Sequence, residues 1–95
     1  MRVRFRTQAR ADVDEIRRYL QKRSPGGARN VLRSIRASIG VIAENPRASE
    51  KTDDPDVRVK VVVEYPYKIY YSVHPDFIEI LHIRHSARRP WEGVQ

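Results

Sequence analysis

The sequence predicts an α+β domain: an N-terminal strand, a helical hairpin, then a three-stranded antiparallel meander, with the helices packed on one face of the sheet. Apolar residues recur every three or four positions in two consecutive stretches between residues 9 and 42, as helical stripes do. Period-two alternation precedes and follows these stretches, and turn residues separate the later strands.

Val3 and Phe5 alternate with Arg2, Arg4 and Arg6, the pattern of a short half-buried strand whose outer face is basic. Solvation alone is enough to account for arginines on such a face. Thr7 is then placed to cap a helix, and Ala9, Val13, Ile16 and Leu20 form its apolar stripe. Asp12, Asp14 and Glu15 stand early in this stretch; Arg17, Arg18, Lys22 and Arg23 stand late. That order complements the helix dipole and reads as structural.

Ser24-Pro25 suits a second helix start, because the serine can accept from free amides while proline at the first position has none to satisfy. Ala28, Leu32, Ile35, Ile39 and Ile42 make the second stripe, with Val31 widening it, and Asn45-Pro46 ends it. The short polar link between the stripes implies a helical hairpin.

Residues 47–56 are polar and without periodicity, as in a surface loop. Three strands follow. Val57, Val59, Val61 and Val63 alternate with Arg58, Lys60, Val62 and Glu64, and the valines are expected to face the helices. Tyr67, Ile69, Tyr71 and Val73 alternate in the next run, with Tyr65-Pro66 and His74-Pro75-Asp76 as the turns. From Phe77 to His85 apolar residues serve both faces, as a central strand covered on both sides requires.

With 95 residues the chain makes one domain, 1–95, whose function must use the surface of a single core. Nineteen Lys and Arg against twelve Asp and Glu give a net charge of +7, and the pI is near 10.2. That field attracts nucleic acid, ribosomes or acidic protein segments. Cysteine is absent, which excludes a disulfide framework and thiol catalysis. The longest aliphatic run is Val61-Val62-Val63 and the N-terminus lacks a signal-like apolar stretch, so a cytoplasmic protein with no membrane partner is expected. Gly26-Gly27 follows a helix and lacks the phosphate-loop pattern, and no cofactor is expected. His82 and His85 stand three apart on a strand and so point to opposite faces, poor geometry for one metal ion.

The run Ala9 to Leu20, the stretch Ala28-Arg29 with Val31-Leu32 and Ile35 to Pro46, and Tyr65-Pro66-Tyr67-Lys68-Ile69-Tyr70-Tyr71 followed by Ile80-Leu81-His82-Ile83-Arg84-His85 together resemble the ParE/RelE superfamily of toxins from bacterial type II toxin-antitoxin systems. The closing Arg84-His85 through Arg88-Arg89-Pro90 most resembles the ParE branch. The resemblance implies a toxin held inactive by a cognate antitoxin of ribbon-helix-helix type. ParE-like members act on DNA gyrase, whereas RelE-like members cut mRNA on the ribosome, so the shared fold does not decide between them.

For RNA cleavage, Lys60, His82 and His85 can move protons while Arg58, Arg84, Arg88 and Arg89 stabilise phosphorane-like charge; the compact alternative set is Lys60, Arg84 and His85. RelE-like enzymes carry a tyrosine near the chain end, and here His85 is followed by Ser86-Ala87-Arg88-Arg89-Pro90-Trp91. Tyr70 and Tyr71 read as cross-strand packing. No acid interrupts the chain between Glu79 and Glu92, which marks a cationic patch. The leading expectation is thus a non-enzymatic gyrase inhibitor whose target surface includes Arg58, Lys60, Arg84, His85, Arg88, Arg89 and Trp91. Trp91 can equally anchor a partner or pack the C-terminus. The net charge of +7 calls for an acidic antitoxin, contributing a helix or strand along the stripes Val13, Ile16, Leu20 and Leu32, Ile35, Ile39.

Overall fold

The structure is a computed structural model that describes residues 1–86. Its elements run β1 (Arg2–Phe5), α1 (Thr7–Gln21), α2 (Pro25–Glu44), β2 (Glu50–Lys51), β3 (Arg58–Val61), β4 (Tyr67–Val73) and β5 (Phe77–His85). The strands form a single five-stranded sheet in the order β1-β5-β4-β3-β2. The meander expected from sequence is therefore part of a larger mixed sheet. β1 joins it parallel to β5, with Val3 opposite Ile78 and Phe5 opposite Ile80, and β2 adds a two-residue antiparallel edge to β3. A parallel pair needs a long connection, and the chain between β1 and β5, the helical hairpin followed by β2, β3 and β4, supplies it.

Both helices contribute to one core with the sheet. Ala9, Val31, Ile35 and Ile42 are buried with Ile69, Tyr71, Ile78, Ile80 and Ile83. α2 begins and ends as its sequence dictates: the Ser24 hydroxyl accepts from Gly27 N at 3.2 Å, Pro25 is the first helical residue, and Asn45 N closes the last turn on Val41 O. α1 differs from expectation. Arg6, not Thr7, occupies the cap position, and no side chain caps it; the helix leaves the sheet directly after Arg6 N donates to Ile80 O at 3.0 Å.

The valine run takes the opposite face from the one expected. Val57 and Val59 pack with Tyr70 and Leu81 on the face away from the helices, while Lys60 lies opposite Ile69 and Arg58 opposite Tyr71 in the register of the helix-facing residues. Period-two alternation fixes two faces but not which one is inward. The alternation also ends early. β3 stops at Val61, the chain turns with Glu64 at φ 75°, and Val62 rather than Val61 or Val63 enters the core, at 2% exposure against 57% and 66%.

β5 carries a bulge. Tyr70 pairs with His82 but Tyr71 pairs with Ile80, so Leu81 is an extra residue. Ile80 and Ile83 can therefore both face the helices, while Leu81 joins the opposite cluster. Among the described residues no helix is long and apolar enough to cross a membrane.

Candidate functional site

The surface beside β5 is shaped by where β1 ends. β1 stops at Phe5, four residues alongside a nine-residue β5, so the far half of the β5 edge has no strand partner on that side. Asp12 fills the gap from α1: its Oδ2 accepts the Ile83 N–H at 3.0 Å, and its Oδ1 accepts from Gln8 Nε2 at 2.9 Å. Asp12 is buried. A carboxylate can enter this interior because both oxygens are hydrogen-bonded.

His82 lies beside it, Nδ1 3.6 Å from Asp12 Oδ2, with only 12% of its side chain exposed. Burial holds the imidazole below its ordinary value; the Arg84 guanidinium adds to this, and Asp12 opposes it without prevailing. The ring is thus partly buried and shifted toward its neutral form. The role of Asp12 was not anticipated. Its spacing carried a signal, since Asp12 stands three after Ala9 and four before Ile16 on the inward stripe.

The alternative catalytic set does not converge. Arg84 lies opposite Lys68 and His85 opposite Tyr67, which puts them on opposite faces of the sheet. Lys60 is on β3 in the helix-side register, and His85 packs edge-on against Tyr67 at 5.5 Å on that side. Arg58 is tied to the preceding loop, donating from Nη1 to Ser49 O at 2.7 Å and Arg47 O at 3.1 Å. Tyr70 and Tyr71 are buried, and the Tyr71 hydroxyl donates to Pro46 O at 2.6 Å. Arg88, Arg89 and Trp91 lie outside the described residues.

Two concavities flank β5. On the helix-free face, a cleft of about 560 Å³ is lined by Arg6, Lys51, His74, Glu79 and His82, and Asp54 and Asp56 balance much of its positive charge. On the helix side, an apolar groove of about 680 Å³ runs between α1 and the β4–β5 end, lined by Ile16, Tyr19, Leu20, Tyr65, Tyr67 and His85. Burial raises the Tyr67 phenol above its usual value. Of the helix residues expected to meet a partner, Ile16 and Leu20 line this groove. Val13 and Ile39 are half-buried against the core, Leu32 is half-buried, and Ile35, at 3% exposure, belongs to the core itself. Among the described residues no cluster of metal-binding side chains forms.

The molecule thus combines a helical hairpin on one face of a mixed sheet with a basic edge strand and an apolar groove beside α1. Residues 3–90 match the family described as the ParE toxin of type II toxin-antitoxin system, parDE, and the chain belongs to that family. It is 31% identical over 93 residues to the inferred toxin Y4kP of Sinorhizobium fredii, covering 98% of this chain and 95% of that protein. It is 33% identical over 81 residues to toxin RelE2 of Caulobacter vibrioides, covering 85% of this chain and 90% of that one. The fold is shared with a chain of the chromosomal ParDE TA system from P. aeruginosa, at TM-score 0.79 and 23% identity, over 90% of this chain and 95% of that chain.

Proposed function

We propose that this ParE-family toxin acts by binding and inhibiting DNA gyrase, without cleaving RNA, and that a cognate acidic antitoxin holds it inactive. The observation that carries this reading is the dispersal of Lys60, Arg84 and His85 over two faces of the sheet. Metal-free RNA cleavage needs a base, an acid and a cation around one phosphate. With Lys60 and His85 on the helix side and Arg84 on the other face, the three do not supply that, and the buried tyrosines have packing roles. Target binding then falls to the end of β5, where Arg84 and His85 lead into Arg88, Arg89 and Trp91.

The apolar groove beside α1 supports the antitoxin part. Ile16 and Leu20 line it with Tyr19, Tyr65 and Tyr67, the composition of a groove that accepts an amphipathic helix or extended segment. The net charge of +7 favours an acidic segment as its occupant, the tail of an antitoxin of ribbon-helix-helix type.

Purified toxin added to a gyrase supercoiling reaction is expected to abolish supercoiling, with relief on adding antitoxin. Full supercoiling at saturating toxin overturns the gyrase assignment. New mRNA ends in toeprinting on translating ribosomes would replace it with the ribosome-dependent endonuclease.

A further inference from the structure

The basic face of β1 is used neither by the core nor by the strand-end patch. Arg2, Arg4 and Arg6 are all exposed, while Val3 and Phe5 between them pack on the core. Alternate residues of a strand stand about 6.6 Å apart, so the guanidinium groups start from an evenly spaced row. Arg6 is balanced by Glu79 at 3.1 Å. Among the described residues neither Arg2 nor Arg4 has an acidic partner within 4 Å.

Next to this row is a stack of three planar groups. The Arg4 guanidinium lies 4.3 Å over the Phe77 ring, and the His74 imidazole stacks on Phe77 at 4.5 Å with 13° between the planes. Arg4 comes from β1 and His74 from just past the end of β4, the two strands that flank β5 on opposite sides, so they sandwich the phenyl ring. A contact between Ser72 Oγ and His74 Nε2 at 3.0 Å fixes the imidazole plane. The His74 side chain is 39% exposed, with Glu79 Oε1 3.9 Å from its Nε2 edge.

We infer that the Arg2–Arg4 row and the Arg4–Phe77–His74 stack form a binding track for single-stranded nucleic acid. The arginines neutralise successive phosphates, and an unpaired base stacks on the outer face of His74. A row of cations that follows a backbone, set beside a planar side chain, is the arrangement that binds single strands with little sequence preference. It is independent of which enzyme the toxin inhibits, because it lies on β1 and the start of β5 rather than at the strand end.

Fluorescence anisotropy with labelled oligodeoxythymidine, oligouridine and a blunt DNA duplex tests it on the full chain. At least one of the two single strands is expected to bind more tightly than the duplex, and the tighter one names the polymer. On that strand Arg2→Gln with Arg4→Gln should flatten the slope of log affinity against log salt by about 1.4, equivalent to roughly 25-fold weaker binding at 0.1 M salt. His74→Ala should weaken it at least about fivefold. Arg33→Gln with Arg36→Gln removes the same charge from exposed positions on α2 and should change affinity less than about threefold. Equal losses in the two double variants, tighter binding of the duplex, or no binding of either single strand would overturn the track.

Discussion

Asp12 and Ile83 are 71 residues apart in the chain, yet the aspartate carboxylate accepts the Ile83 amide at 3.0 Å and completes the β5 edge where β1 has ended. A helix side chain here does the work of a missing strand residue. The consequence is measurable. Asp12→Ala leaves a buried N–H without an acceptor and should cost about 1–3 kcal/mol, read as a lower urea midpoint at constant m. Asp12→Asn keeps one acceptor oxygen for Ile83 and should lose less, although that oxygen cannot also serve Gln8.

The neighbouring His82 ties stability to pH. Its folded value is depressed below 6.5, chiefly by burial and then by Arg84. Between its ordinary and its folded value the unfolded chain binds more protons, so this residue's contribution is fully present above about 6.5 and is lost as pH falls through the folded value. An NMR titration of the His82 ring should show a midpoint below 6.5 in the native protein. Arg84→Gln should raise that midpoint and Asp12→Asn should lower it, since these neighbours act in opposite senses. A midpoint unmoved by either change would contradict the arrangement.

Tyr71 offers a test of structure against catalysis. Its ring is wholly buried, and its hydroxyl donates to Pro46 O, fastening the segment after α2 to the sheet. Tyr71→Phe should cost about 0.5–1.5 kcal/mol in denaturant unfolding. Toxicity on expression at permissive temperature should be retained. Loss of toxicity with unchanged stability would assign the hydroxyl a chemical role.

The valine run yields a prediction in which neighbouring residues diverge. Val62→Ala should cost roughly 2 kcal/mol, from lost burial plus an incompletely closed cavity. Val61→Thr and Val63→Thr, at positions more than half exposed, should stay within about 0.5 kcal/mol of the wild type. Thermal or urea unfolding of the three variants distinguishes the observed face from the reverse one.

Why these valines misled, while the helices did not, is a matter of symmetry. A helical stripe has a single apolar side, so Ala9 to Leu20 and Ala28 to Ile42 were legible, as was the Ser24 cap. β3 has one apolar side, but the sheet buries an apolar cluster on each of its faces, the second being Val57, Tyr70 and Leu81 away from the helices, and alternation alone does not say which cluster the valines join. The parallel pairing of β1 with β5 was hidden for another reason. Register across 75 residues, such as Val3 with Ile78, leaves no local mark. Asp12 has the type and early position of a helix-dipole charge, and only its place on the inward stripe between Ala9 and Ile16 marks it as buried. The family was legible because its marks lie in local runs, whereas the convergence of Lys60, Arg84 and His85 depends on faces that only the register decides.

The groove beside α1 separates residues that build the toxin from residues that would meet the antitoxin. Tyr19 lines it while 54% exposed, and the Arg23 guanidinium lies 3.9 Å over its ring, which orients the phenol without burying it. An exposed, oriented tyrosine on a groove wall has the properties of an interface anchor: large area and little entropy to lose. Tyr19→Ala should therefore weaken binding of the antitoxin's C-terminal segment by about 2 kcal/mol, near 30-fold by calorimetry, with the unfolding midpoint little changed. Ile35→Ala should do the reverse. That residue is 3% exposed within the core, so its truncation should cost about 2–5 kcal/mol of stability. At a temperature where the variant remains folded, its antitoxin affinity should stay within a few-fold of the wild type. If Tyr19→Ala leaves affinity intact and Ile35→Ala abolishes it in a folded protein, the antitoxin does not use this groove, and the outer surface of α2 becomes the place to seek it.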